Sequence, residues 1–243
     1  RKTLAIRRRV LGEEHPDTLD SMNNLANSFR DQGRYAEAEE LYRQTLAIRR
    51  RVLGEKHPVL GETLYELAAV LERTQRWTEA ETLCRQGESI WAARLTPGHR
   101  ARQANINLLG GILSGLGRFS DAEPLLIESY EALRDDAGLP PRDRKEMLER
   151  LVRLYESWDA AEPGKGYAEK AAEWRKKLDE LGTKAPRHEG TERDKPSKDE
   201  KADTPKPRNA EVGDGEHRHG KRSVCVDVWA VMQSIIRPPR GVW

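Results

Sequence analysis

The stretch Arg1-Lys-Thr-Leu-Ala-Ile-Arg-Arg-Arg-Val-Leu-Gly-Glu-Glu-His-Pro16 returns, 42 residues on, as Arg43-Gln-Thr-Leu-Ala-Ile-Arg-Arg-Arg-Val-Leu-Gly-Glu-Lys-His-Pro58. Only Lys2/Gln44 and Glu14/Lys56 differ. A period of this length marks a repeat array. A unit this short cannot bury its apolar face alone, so it must stack on copies of itself as a solenoid.

The register continues into a third copy. Leu25, Leu67 and Leu109 align, as do Ala26, Ala68 and Gly110, then Phe29, Leu71 and Leu113. Arg34, Arg76 and Arg118 follow, each before an aromatic: Tyr35, Trp77 or Phe119. Ala38, Ala80 and Ala122 come next, each followed by a glutamate. Leu25, Ala26 and Phe29 share one face of a helix. Gly33 and Gly117 fall where that helix should stop. Tyr35, Ala38, Leu41 and Tyr42 give a second apolar stripe. Each unit therefore reads as two antiparallel helices, and the fold class as all-α. Small residues on both helices (Ala26, Ala68 and Gly110 against Ala38, Ala80 and Ala122) let the axes approach to about 8–9 Å. Pro16 and Pro58 suit a first helical turn. Asp17 and Thr18 are expected to add first-turn or capping chemistry in the first unit, a cap the other units lack.

The motifs Asn23-Asn24-Leu25-Ala26, Gly33-Arg34-Tyr35-Ala36-Glu37-Ala38-Glu39 and Leu46-Ala47-Ile48-Arg49 through Leu53-Gly54-Glu55-Lys56-His57-Pro58 resemble the tetratricopeptide (TPR) family, in its long-period kinesin-light-chain-like branch. HEAT and armadillo repeats have a similar period, but the Gly-Arg-aromatic-x-Glu-Ala-Glu turn argues for TPR. The resemblance implies a right-handed superhelical solenoid. The expected organisation assigns 1–16 to the second helix of a truncated preceding repeat. Units one to three span 17–58, 59–100 and 101–142. A degenerate capping unit occupies 143–182, with its register slipping across 162–166. Residues 183–243 are expected to form a disordered charged tail with a short apolar segment at 223–236.

Composition excludes several functions. The formal net charge of +2, with 35% charged residues, means acids and bases nearly cancel, which argues against a dedicated polyanion binder. Cys84 and Cys225 give neither a disulfide framework nor zinc spacing. Cys84 reads as a small helix residue, and the cysteine usage fits a reducing, cytoplasmic setting. No stretch approaches the ~20 apolar residues of a membrane span.

His15, His57 and His99 recur with the period, but equivalent points on successive units lie about 10 Å apart. Zinc needs ligand nitrogens within about 2.1 Å, so these read as linker residues. His217 and His219 give no metal site either. The glycines at 110, 111, 115 and 117 lack the strand and GxxxxGK[ST] pattern of a phosphate loop. Gly111 and Gly115 are expected to weaken their helix by up to about 1 kcal/mol each relative to alanine, making unit three the softest. Arg7-Arg8-Arg9 and Arg49-Arg50-Arg51 spread over about 200° of helix and read as solvated residues with glutamate partners. No nucleophile–base constellation is present. No catalytic residue, cofactor or metal is expected.

The reading that follows is a non-catalytic protein–protein interaction scaffold holding an extended peptide or partner protein in the concave groove. The family resemblance places groove-facing positions at Asn23 and Asn27, Tyr65 and Ala69, and Asn107 and Gly111. Arg30 and Glu72 lie one position beyond Phe29 and Leu71. Amide side chains offer donor and acceptor together. These identities depart from the Lys, Asn and Arg with which family members clamp a C-terminal carboxylate, so a carboxylate-clamp co-chaperone is not expected. No specific nucleic acid, membrane span or small-molecule substrate is expected as partner. One alternative is the C-terminal regulatory TPR region of a larger signalling enzyme, such as a TPR-bearing serine/threonine kinase. Another is nucleic-acid binding through the basic tail, with steep salt dependence.

Overall fold

The computed structural model describes residues 2–183; the tail and its apolar segment at 223–236 lie outside the described residues. Among the described residues there are nine helices and no strand. They are α1 (Lys2–Leu11), α2 (Pro16–Asp31), α3 (Tyr35–Leu53), α4 (Pro58–Arg73), α5 (Trp77–Ala92), α6 (Arg100–Gly115), α7 (Phe119–Leu133), α8 (Pro141–Ala161) and α9 (Tyr167–Thr183). Successive helices pack as α2–α3, α4–α5, α6–α7 and α8–α9 hairpins, and α2, α4, α6 and α8 also touch one another in turn. The first helices thus line one side of a helical solenoid.

The core follows the repeat. Ala26, Ala38, Ala68, Ala80 and Ala122 are fully buried, as is Gly110. Leu67 and Leu109 sit in one continuous core, with Leu25 packed against it. A Cβ on Gly110 would lie 2.7 Å from Leu126 Cγ and 3.4 Å from the Ala122 carbonyl oxygen. The small-on-small contact between the two helices is therefore real in unit three.

The helix starts differ from expectation. α2, α4 and α6 are each capped by the preceding histidine. Nδ1 of His15, His57 and His99 accepts the N–H of Asp17 (3.2 Å), Val59 (3.3 Å) and Ala101 (3.2 Å). Thr18 is buried, and its hydroxyl has no partner among the described residues. The caps are the repeating histidines, in all three units; Asp17 stands as an acid in the first turn of α2, and Thr18 caps nothing. Each of these N–H groups belongs to the first turn, which no intrahelical acceptor serves.

The first helices end on a left-handed residue, Gly33 (φ +74°) and Gly117 (φ +73°), with Gln75 (φ +60°) in the same role between them. The equivalent Asp159 stays helical, and α8 runs on to Ala161 before the turn at 162–166. Stacked rings fill this last hairpin. Trp158 lies 4.2 Å from Tyr167 and 5.7 Å from Phe119, and Trp174 meets Tyr130 edge-on at 5.3 Å.

Outside the core, an ion ladder links neighbouring units. Arg76 reaches back to Glu39 (2.6 Å) and Arg118 to Glu81 (2.9 Å). The next rung changes chemistry, because Glu123 accepts from the Tyr155 hydroxyl (2.6 Å) and from Lys170 (2.9 Å). Arg51 pairs with Glu14, as a solvated residue would. Arg49 does not fit that expectation. It is only 2% exposed and is held by Asp20 (2.7 Å) and Thr63 (2.6 Å).

Candidate functional site

The inner side of the stack closes on a cavity of about 480 Å³, within the 300–1,000 Å³ usual for ligand sites. Its walls come from α2, α4, α6 and α8, with Trp91 of α5 and Leu133 of α7 at their far ends. One feature of α8 shapes it. Arg150 crosses α6 to reach α4, where its Nε and Nη2 bond Glu72 Oε1 and Oε2 at 3.1 and 2.9 Å. The same guanidinium donates to Asn107 Oδ1 (3.0 Å) and Glu146 Oε1 (3.0 Å). Asn107 donates onward to Ser129 Oγ (2.9 Å), which donates to the Leu126 carbonyl (3.1 Å). Arg73 also donates to Glu146 (3.1 Å). The arrangement needs Gly111, because a Cβ there would sit 2.9 Å from both Arg150 Cδ and Glu72 Oε1.

Burial opposes the charge of Arg150, but Glu72 and Glu146 more than offset it and raise its pKa. Arg150 in turn holds the Glu146 carboxyl below its usual range, against burial. Two other carboxyls behave differently. Glu62, 5% exposed, lines the cavity without a hydrogen bond or ion pair to its carboxylate among the described residues. Burial pushes it up to about 7, with Glu66 and Asp20 adding to the effect and Arg49 opposing it. Asp143 at the start of α8 is similar. Burial, then Glu146 and Glu66, push it up to about 7 against Arg142 and Arg150.

Of the groove residues expected from sequence, Arg30, Tyr65, Glu72 and Asn107 come together in this cavity, as does Ala69. Arg30 is bonded to Glu66, and Glu72 and Asn107 are committed to Arg150. Asn23 and Asn27 are elsewhere. Both are 4% exposed, and Asn27 accepts from the Tyr42 hydroxyl of α3.

Sequence reasoning missed Glu62, Trp91, Asp143 and Arg150. For two of them a signal existed in the repeat itself. The pair Asp20 and Arg49, in contact, steps by one period to Glu62 and Trp91, and by another to Ala104 and Leu133. All four later residues line the cavity. Arg150 has no such signal, since it bonds a residue 78 positions away.

Cys84 is buried, and burial pushes its thiol well above the ordinary range. No group of three or more potential metal-binding side chains occurs among the described residues, and no helix there is long and apolar enough to cross a membrane.

Tetratricopeptide repeat models match residues 1–17, 18–59 and 59–135. A crystal structure of a substituted form of a kinesin light chain-type protein from Podosopora anserina, with nearly identical TPR-like repeats, is 26% identical. It aligns over 75% of this chain and 83% of its own, with a TM-score of 0.56. Another crystal structure of that protein is 26% identical over 72% and 83%, with a TM-score of 0.54. BtubC (BKLC) from P. vanneervenii shares the fold at 16% identity over 81% and 78%, with a TM-score of 0.59. No curated protein matches the chain.

Proposed function

The chain belongs to the tetratricopeptide repeat family, with kinesin-light-chain-like repeats, and from this premise we propose that it holds an extended segment of a partner protein on the inner side of its solenoid. The coarser role, a protein–protein interaction scaffold, is what such repeats provide. The observation that carries the finer reading is the cavity of about 480 Å³ walled by all four first helices. Rigid helices present side chains there to a partner whose backbone groups stay free to hydrogen-bond. Little ordering is then required of the protein on binding, which favours affinity.

Peptides selected from a random display library against the full chain test this. Ala104 is half-buried on the cavity wall, and Ala104→Trp fills the space without removing a core side chain. The selected peptides should lose about tenfold or more in affinity for Ala104→Trp and keep it for the outer-surface variant Glu40→Gln. Equal affinity for both variants would remove the inner side as the binding surface.

A further inference from the structure

The repeat supplies its own control for Glu62. In unit one the acid at this position, Asp20, is paired at 2.7 Å with Arg49, and Arg49 is buried. In unit two the acid remains as Glu62, while the arginine position holds Trp91. Trp91 is 2% exposed and packs on Gly61, where a Cβ would lie 2.5 Å from the ring. Unit two therefore keeps a buried anion and has exchanged its cation for an aromatic face. In unit three both are gone, replaced by Ala104 and Leu133.

The rest of the cavity wall has the same bias. Each arginine on it is matched by an acid: Arg30 with Glu66, Arg73 and Arg150 with Glu146 and Glu72, Arg100 with Asp136, and Arg142 with Asp31. The carboxylates without such a partner among the described residues are Glu62 and Asp143. An unpaired buried charge is costly, and a cation that enters from outside removes that cost. Tyr65 and Trp91 also line the cavity, and aromatic rings attract ammonium and guanidinium groups.

We infer that this cavity accepts a lysine or arginine side chain of the partner segment, its charged end taking beside Glu62 the place that Arg49 takes beside Asp20. This rests on the inner-side reading proposed above and gives it a chemical preference. The aliphatic stem lies along Ala69, Ala104 and Trp91, and Asp143 faces the same space from α8. The chain's own net charge of +2 gives basic peptides no general attraction, so a preference for them must come from a local site.

Three fluorophore-labelled peptides with blocked ends test this against the full chain: one alternating serine and lysine, its fully acetylated counterpart, and one with glutamate for lysine. Anisotropy titrations should show binding of the lysine peptide, about tenfold or more weaker for the acetylated one. The double variant Glu62→Gln/Asp143→Asn should lose a similar factor with its melting temperature maintained, since it removes charges that burial disfavours. Affinity of the wild type should also rise between pH 6 and 8. Glu62, facing Glu66 of its own helix, Arg49 of α3 and Asp20 of α2, ionises there. So does Asp143, facing Glu146, Arg142 and Arg150 of α8 and Glu66 of α4. The double variant should show no such rise. Lysine-peptide binding that is unchanged in the double variant would overturn the inference. A glutamate peptide that binds at least as tightly, and is lost in Ala104→Trp, would overturn the basic preference while leaving the inner-side reading intact. Failure of every peptide to respond to Ala104→Trp would overturn both.

Discussion

Replacing Glu72 by glutamine should destabilise the solenoid by about 3 kcal/mol. Glu72 and Arg150 are 8% and 5% exposed and share two hydrogen bonds, at 3.1 and 2.9 Å. Removing one partner of a buried pair costs about 3–5 kcal/mol, because the other charge is left uncompensated. Here the lower end applies, since Arg150 keeps Glu146 and Asn107 at 3.0 Å each. For a protein of this size the melting point should fall by roughly 6–12 °C. Urea unfolding followed by circular dichroism gives the free energy directly. The double replacement Glu72→Met/Arg150→Met discriminates the cause. It removes both charges, so the desolvation cost disappears with the attraction. The orphaned Asn107 carbonyl costs about 1–3 kcal/mol, and the apolar replacement offsets that. The double variant should therefore be more stable than Glu72→Gln alone. A Glu72→Gln protein within about 1 kcal/mol of wild type, or a double variant less stable than Glu72→Gln, would refute the role given to this pair.

Gly111→Ala and Gly87→Ala should move stability in opposite directions, although both gain up to about 1 kcal/mol of helix propensity. The Gly111 Cβ collides with Arg150 and Glu72 at 2.9 Å, whereas at Gly87 the nearest atom is 3.6 Å away; urea midpoints that rise for both would sink the close-packing account. The part of the stability that comes from the histidine caps should be lost as pH drops from about 6.5 toward 5, against the gain from protonating the buried Glu62 and Asp143 over the same range. Burial and then Arg94 and Arg49 lower the pKa of His57, and burial and then Arg100 lower that of His99. The folded state therefore binds protons less readily than the unfolded one, and protonation of Nδ1 abolishes the cap. The variant His57→Asn/His99→Asn keeps an acceptor at both positions, so its urea midpoint should lose that part of the pH dependence; an identical slope would place the titration elsewhere.

The architecture was legible because it is written several times. Any one of Leu25, Ala26 or Phe29 says little alone, but three copies at one spacing fix a helix face, a turn and a hairpin partner. The stacking glutamates and arginines, Glu39 with Arg76 and Glu81 with Arg118, repeat in the same way. The cavity was legible only in part. Tyr65, Glu72 and Asn107 lie at repeating positions on first helices, so register alone brings them to one side. Arg150 was beyond reach, because its bond to Glu72 depends on how tightly the units coil, and that angle accumulates from every interface. The histidine caps escaped for a different reason. Histidine is not among the favoured N-cap residues, and its recurrence at unit boundaries is equally compatible with a plain linker. Gly111 and Gly115 read as weaknesses on propensity. In the fold they admit neighbours, with Trp77 ring atoms 2.8 Å from where a Gly115 Cβ would stand.

The same repetition that reveals the fold also isolates the departures from it, and these carry functional information that similarity cannot. Positions that agree across the units, such as Ala38, Ala80 and Ala122, are explained by packing alone. Asp20 with Arg49, Glu62 with Trp91 and Ala104 with Leu133 occupy one structural place with three chemistries. The first is a satisfied ion pair and the third is apolar, and each is stable by itself. The second is neither. A buried carboxylate without a paired cation is disfavoured in a closed protein, and the adjacent unit demonstrates that alanine fits the same position. The arrangement becomes favourable once a partner's cation enters the cavity beside Glu62. The place where the array is least content with its own residues is thus the place where it has most to gain from another molecule.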